Sequence, residues 1–241
     1  SFSLRISSAA GLNQDGTLDT SFGGGRVGLP LSLDLVGSTM ALQADGRIVV
    51  GGYLAPNGIN EDYGLVRLNG NGSLDTSFSG DGQVAFDMFG GNDRVHGVAV
   101  QSDGSILVIG QSTSPYMQLG VARLLANGEL DTSFSEDGKV FYSEQLFAEG
   151  VDLFPQADGA VVVVASGEWS GRTWNDDVVI SRLAEDGSVD QRYPGDGIST
   201  LGDGWQPPPG SAPAIIDSQI QVFDPELAAL NGGLGNYGGS W

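Results

Sequence analysis

The sequence predicts an all-β fold, a β-propeller-like array of four-stranded blades with three complete units plus split end strands, and three observations predict it. The string Leu18-Asp19-Thr20-Ser21-Phe22 returns unchanged at Leu74-Asp75-Thr76-Ser77-Phe78 and Leu130-Asp131-Thr132-Ser133-Phe134, and in eroded form at Val189-Asp190-Gln191-Arg192-Tyr193. The copies start 56, 56 and 59 residues apart, from Leu18 to Leu74, Leu74 to Leu130 and Leu130 to Val189. A fixed period of this size marks a repeat array whose units bury their apolar faces against one another. Between copies lie short β-rich runs punctuated by Gly turns, without the three-and-four spacing of apolar residues that helical repeats need.

The second unit shows each element in order. Gln83-Val84-Ala85-Phe86-Asp87-Met88 is short and partly alternating, and reads as strand a. Val95-His96-Gly97-Val98-Ala99-Val100-Gln101 (strand b) and Ser105-Ile106-Leu107-Val108-Ile109-Gly110 (strand c) flank Ser102-Asp103-Gly104. Asp-Gly between β-rich runs predicts a hairpin with a type I′ turn, whose two central residues both take positive φ. Ala44-Asp45-Gly46 and Ala157-Asp158-Gly159 repeat it. Leu119-Gly120-Val121-Ala122-Arg123-Leu124 is strand d, ending at Asn127-Gly128 just before the next signature. The signature is therefore expected to link one blade to the next. In it, Asp19, Asp75 and Asp131 would bond nearby backbone amides, and Phe22, Phe78 and Phe134 would fill the gap between sheets. Arg67, Arg123 and Arg182 stand eight residues before Asp75, Asp131 and Asp190, a spacing that suits an Arg–Asp bridge. Turn chemistry is the main expectation for this Asp, with calcium ligation as the alternative.

Composition narrows the function classes. With 30 acidic against 10 basic side chains the formal charge is −20, so nucleic acid and anionic membrane surfaces are not expected partners. There is no Cys, which removes disulfides, thiolate zinc sites and a Cys nucleophile, and there is no run of roughly 18 apolar residues that would make a direct membrane span. An acidic, Gly-rich, Cys-free chain fits a bacterial location that is extracellular, at the cell surface or periplasmic.

These residues carry a resemblance. The Gln-x-Asp-Gly hairpin, the Arg-Leu strand and the Leu-Asp-Thr-Ser-Phe string recur in order through roughly residues 12 to 200, and the pattern resembles the bacterial delta-sixty repeat of large exported proteins. The resemblance implies a propeller-like array in a secreted or surface protein, without specifying an activity. The repeat domain is expected over 1–203, with units at about 12–73, 74–129 and 130–188 and a partial unit at 189–203. A Pro-rich linker follows at 204–214, then a tail at 215–241. The tail is a candidate strand-donating or assembly segment, and Ile220–Gly233 weakly resembles the opening of a cadherin-like β-sandwich repeat. At the ends, Phe2–Ser7 reads as a lone strand d and Gly197–Leu201 as a lone strand a. Those two would share one blade within a chain, or two chains of about three and a half units would form a seven-bladed ring. Protein partners or a homo-oligomer are thus expected through the incomplete ends and the tail.

No cofactor is expected beyond calcium, the ion that suits the carboxylate and Asn oxygens at Asn60, Asp62, Asn175 and Asp176. Tyr116, Trp169 and Trp174 sit on equivalent variable loops and would suit a glycan or a protein ligand. The acidic pairs Glu61-Asp62 and Asp176-Asp177 are the best case for a glycoside hydrolase, but both stand just before strand d, where solvated loop residues are expected. His96 is the only histidine and reads as a strand residue. The expectation is a non-enzymatic exported structural or assembly module. An adhesin-like binding module is the alternative, and a hydrolase the least favoured reading.

Overall fold

The computed structural model describes residues 8–28, 36–55, 60–113, 118–142, 146–169, 177–190 and 198–201. The chain divides into two compact units, Ser1–Trp205 and Gln206–Trp241, and every described residue belongs to the first. The linker and tail therefore lie outside the described residues, as does the strand expected over Phe2–Ser7.

Fourteen strands are present among the described residues: β1 (Ser8–Ala10), β2 (Arg26–Gly28), β3 (Val36–Leu42), β4 (Ile48–Leu54), β5 (Asp62–Leu68), β6 (Gln83–Phe86), β7 (Asp93–Val100), β8 (Ile106–Ser112), β9 (Gln118–Leu124), β10 (Lys139–Phe141), β11 (Leu146–Pro155), β12 (Val161–Trp169), β13 (Asp177–Leu183) and β14 (Ile198–Leu201). They form three antiparallel four-stranded sheets in the orders β3-β4-β5-β6, β7-β8-β9-β10 and β11-β12-β13-β14, together with the two-stranded pair β1-β2. The fold is the expected all-β array of four-stranded blades.

The sheets are cut differently from the sequence units. Strand a does not open a sheet: β6 pairs with β5 of the preceding unit, Tyr63 opposite Phe86 and Val66 opposite Gln83. Each sheet thus runs b, c, d and then the a strand of the following repeat. The signature lies within one sheet, inside the hairpin from the third strand to the fourth, and the covalent link between the first two sheets is residues 87–92. The end strands differ from expectation for the same reason. β14 completes the third sheet by pairing with β13, and β1 pairs with β2. Since β1 and β2 flank the first signature, they stand as third and fourth strands of a sheet.

The turns are also of a different type. In Gln43-Ala44-Asp45-Gly46 only Gly46 has positive φ, at 86°, and the bonds Gly46 N–H to Gln43 O and Gln43 N–H to Arg47 O close a type I turn with a Gly bulge. Asp45 stays at negative φ because its work is electrostatic: Oδ1 accepts the Arg47 amide at 3.0 Å. The same design recurs at Gln101–Ser105 and Gln156–Ala160.

Both faces of the central strands are covered, which explains their near-continuous apolar sequence. On β8, Ile106 and Val108 pack toward the first sheet with Val49, Tyr63 and Leu65. Leu107 and Ile109 pack toward the third sheet with Val161, Val163 and Leu183. Leading strands of neighbouring sheets touch, β3 against β7 and β7 against β11. Each carries a β-bulge, and His96 is the half-buried bulge residue of β7, between Val95 and Gly97.

Candidate functional site

The signature residues converge on the joints between sheets. Arg67 Nε donates to Asp75 Oδ2 at 2.7 Å, and Arg123 Nε to Asp131 Oδ2 at 2.7 Å, so the bridge expected from the eight-residue spacing forms. Each guanidinium also lies over the signature ring, Arg67 over Phe78 at 4.6 Å and Arg123 over Phe134 at 4.7 Å. Nη2 of each donates to the signature Ser, Ser77 or Ser133, and Nη1 crosses to the turn of the neighbouring sheet: Arg67 Nη1 bonds the Ala126 carbonyl, and Arg123 Nη1 the Glu185 carbonyl at 2.6 Å. Backbone repeats the stitch, with the amides of Gly23, Ser79 and Ser135 donating to the carbonyls of Asn71, Asn127 and Asp186. Phe22, Phe78 and Phe134 each sit in a separate core layer between neighbouring sheets. The signature is an intra-sheet turn by connectivity and an inter-sheet clamp by packing.

Electrostatics fit that role. Burial works to raise the carboxyl pKa of Asp75, but the Ser77 hydroxyl and amide and the Arg67 guanidinium outweigh it and hold the group below its ordinary value. Asp131 is lowered in the same way, by Ser133 and Arg123 against burial. The first and last copies vary. Gly11 takes the Arg position, and among the described residues the Asp19 side chain bonds within its own turn, to the Ser21 amide and hydroxyl. Arg182 pairs with Asp190 and Asp158 while its Nε donates to Gln156. An open cleft of about 720 Å³ lies over the joint of the second and third sheets, lined by Asp103, Arg123, Asp131, Asp158 and Glu185 among others.

A second constellation lies at the link between the first and second sheets. Asp62 opens β5, Asp87 follows the last residue of β6, and Asp93 opens β7. Because Tyr63 faces Phe86 across the β5–β6 ladder, Asp62 and Asp87 are brought side by side. The link then folds back, with Asp93 Oδ2 accepting the Met88 amide at 2.6 Å and the Phe89 amide at 3.3 Å. The result is three carboxylates with ligand oxygens within 4.8 Å of one another, Asp93 fully buried and Asp87 exposed. Burial raises the pKa of Asp62, and the charges of Asp87 and Asp93 add to the rise. Burial also raises Asp93, against the lowering pull of the Ser112 hydroxyl and the two link amides. The neighbouring cations are committed elsewhere: Arg94 pairs with Glu61, and Lys139 Nζ donates to the Asp87 carbonyl at 2.7 Å.

Of the residues singled out from sequence, Asp62 falls in this constellation and Asn60 is an exposed residue two positions before it. Trp169 ends β12, its backbone opposite Leu146. Tyr116, Trp174, Asn175 and Asp176 lie outside the described residues. Sequence reasoning missed Asp87 and Asp93 because neither belongs to the repeat. The signal that points to them is their place at the two ends of the link, where strands of different sheets meet.

The chain matches a family described as a domain of unknown function (DUF5122) beta-propeller, over residues 43–78 and 101–134. These two segments each run from a b–c turn through strands c and d to the signature Phe. Comparison with curated proteins gave no match. Among solved structures the chain is similar to the NanB sialidase from Streptococcus pneumoniae, in a mutant form, with 13% identity and a TM-score of 0.41. That likeness covers 62% of this chain and 21% of the sialidase chain, so this chain spans about a fifth of its length.

Proposed function

We propose that this chain is a non-enzymatic structural and assembly module of an exported bacterial protein, built from repeats of the delta-sixty type, with a tail of cadherin-like or strand-donating character. The observation that carries the reading is the exposed apolar surface of the leading strand β3. β3 packs on β7 along one side, while on β3 Met40 is 60% and Leu42 73% exposed. Strand edges and apolar surface of this kind are normally paired or covered, which a protein partner or a second copy would do. The use of the repeated Arg, Asp and Phe as clamps supports a rigid platform in preference to one reaction centre per repeat.

Sizing and chemical cross-linking of the whole chain test the proposal, with a specific oligomer expected. A strict monomer whose tail docks on itself contradicts it, and so does turnover across a panel of glycosides.

A further inference from the structure

We propose that Asp62, Asp87 and Asp93 together bind a calcium ion at the link between the first and second sheets. This goes beyond the assembly reading and does not depend on it. Calcium takes oxygen ligands at about 2.3–2.6 Å, so two of its ligands stand at most about 5 Å apart. The three carboxylates, with oxygens within 4.8 Å of one another, can reach one ion without rearrangement of the backbone. The donor set contains only hard oxygens, which favours calcium over softer metals.

An independent observation points to a ligand. Asp93 is fully buried, and its Oδ1 has no hydrogen-bond partner although Oδ2 has two. Ser112 stands opposite Asp93 in the β7–β8 ladder, where its hydroxyl works to lower the Asp93 carboxyl, yet its buried Oγ completes no hydrogen bond. A buried carboxylate oxygen left unbonded beside two further carboxylates is costly unless a cation offsets it. The facing cations do not do so: Arg94 is paired with Glu61, and Lys139 Nζ sits on a backbone carbonyl.

The constellation is also specific to this junction. β13 opens on Asp177 where β5 opens on Asp62, but β9 opens there on Gln118, and β11 opens on Leu146-Phe147-Ala148 where β7 opens on Asp93. An acid at the start of the third strand recurs, whereas the buried acid at the start of the leading strand does not. An ion here would fasten β5, β6 and the start of β7, joining the two sheets at their only covalent link among the described residues.

The test uses the whole chain after treatment with chelator. Calorimetric titration with calcium should show one saturable site with Kd on the order of 10⁻⁴ M, typical of extracellular modules. At saturating calcium the Tm should rise by about 5 °C over sodium chloride of equal ionic strength. Asp93→Asn should abolish both, and the more exposed pair Asp62→Asn/Asp87→Asn guards against a variant that fails to fold. Absence of a saturable heat up to about 10 mM calcium overturns the proposal, as does an equal Tm rise in the double variant. A gain in stability of Asp93→Asn that is the same with and without calcium would mean that the carboxyls share a proton, which also overturns it.

Discussion

Arg123 shows how much one side chain can hold. Its Nε meets Asp131, its Nη2 donates to Ser133 Oγ at 3.0 Å, its Nη1 reaches the Glu185 carbonyl, and its plane covers Phe134. Arg123→Ala leaves Asp131 buried without its cation, so urea unfolding should show a loss of about 3–5 kcal/mol. Arg123→Lys should recover little of that, because an ammonium lacks the planar fork that serves three acceptors at once. The carboxylates on the other side of these clamps have a pH signature. Asp75 and Asp131 are held below the ordinary carboxylate value, so their stabilisation is complete above about pH 4 and is lost as the pH falls through their folded values. In Asp75→Asn/Asp131→Asn, stability should be lower at neutral pH and fall less steeply below about pH 4 than in the parent chain. The Arg–Asp bridge was legible in the sequence because its eight-residue spacing spans one local turn. Its reach to Ala126 and Glu185 was not, since nothing local encodes which neighbour the guanidinium meets.

At the scale of elements, strands and turn positions follow from alternation and Gly placement, whereas pairing does not. β6 follows β5 and precedes β7, and periodicity alone serves either partner. What decides is the bulged hairpin around the signature, where the Arg67 carbonyl accepts the Asp75 amide and the Arg67 amide donates to Gly82. Residues 76–81 loop out between those two bonds and return the chain along the strand it left. Turn type is ambiguous in the sequence for a related reason: Asp-Gly serves a type I′ turn or a bulged type I turn equally well, and the Asp45 carboxylate on the Arg47 amide selects the second. Gly110 is an element-level constraint with a sharp consequence. A Cβ there would come within 1.9 Å of the Arg94 carbonyl carried on the neighbouring strand β7. Gly110→Ala should therefore lower stability by about 2 kcal/mol or more, measured by thermal or urea unfolding, with the loss centred on the β7–β8 pair in hydrogen exchange.

At the scale of the whole molecule, the repeat explains three similar sheets, and both proposals rest on departures from the repeat. The acidic link at Asp87–Asp93 is one such departure, found from geometry since β11 does not open on an acid as β7 does. The open flank of the first sheet is the other. Phe22, Val50, Val66 and Leu68 form the layer between the half-sheet and β3-β4-β5-β6, yet Met40 and Leu42 on β3 are left in solvent. If this flank is where the module assembles, charging it should block assembly without disturbing the clamps. The deciding measurement is sedimentation velocity of the whole chain beside Met40→Lys/Leu42→Lys, with thermal unfolding of both. A concentration-dependent oligomer is expected for the parent chain and a monomer of unchanged Tm for the variant. Monomers in both, or an oligomer that the two lysines leave intact, would contradict it.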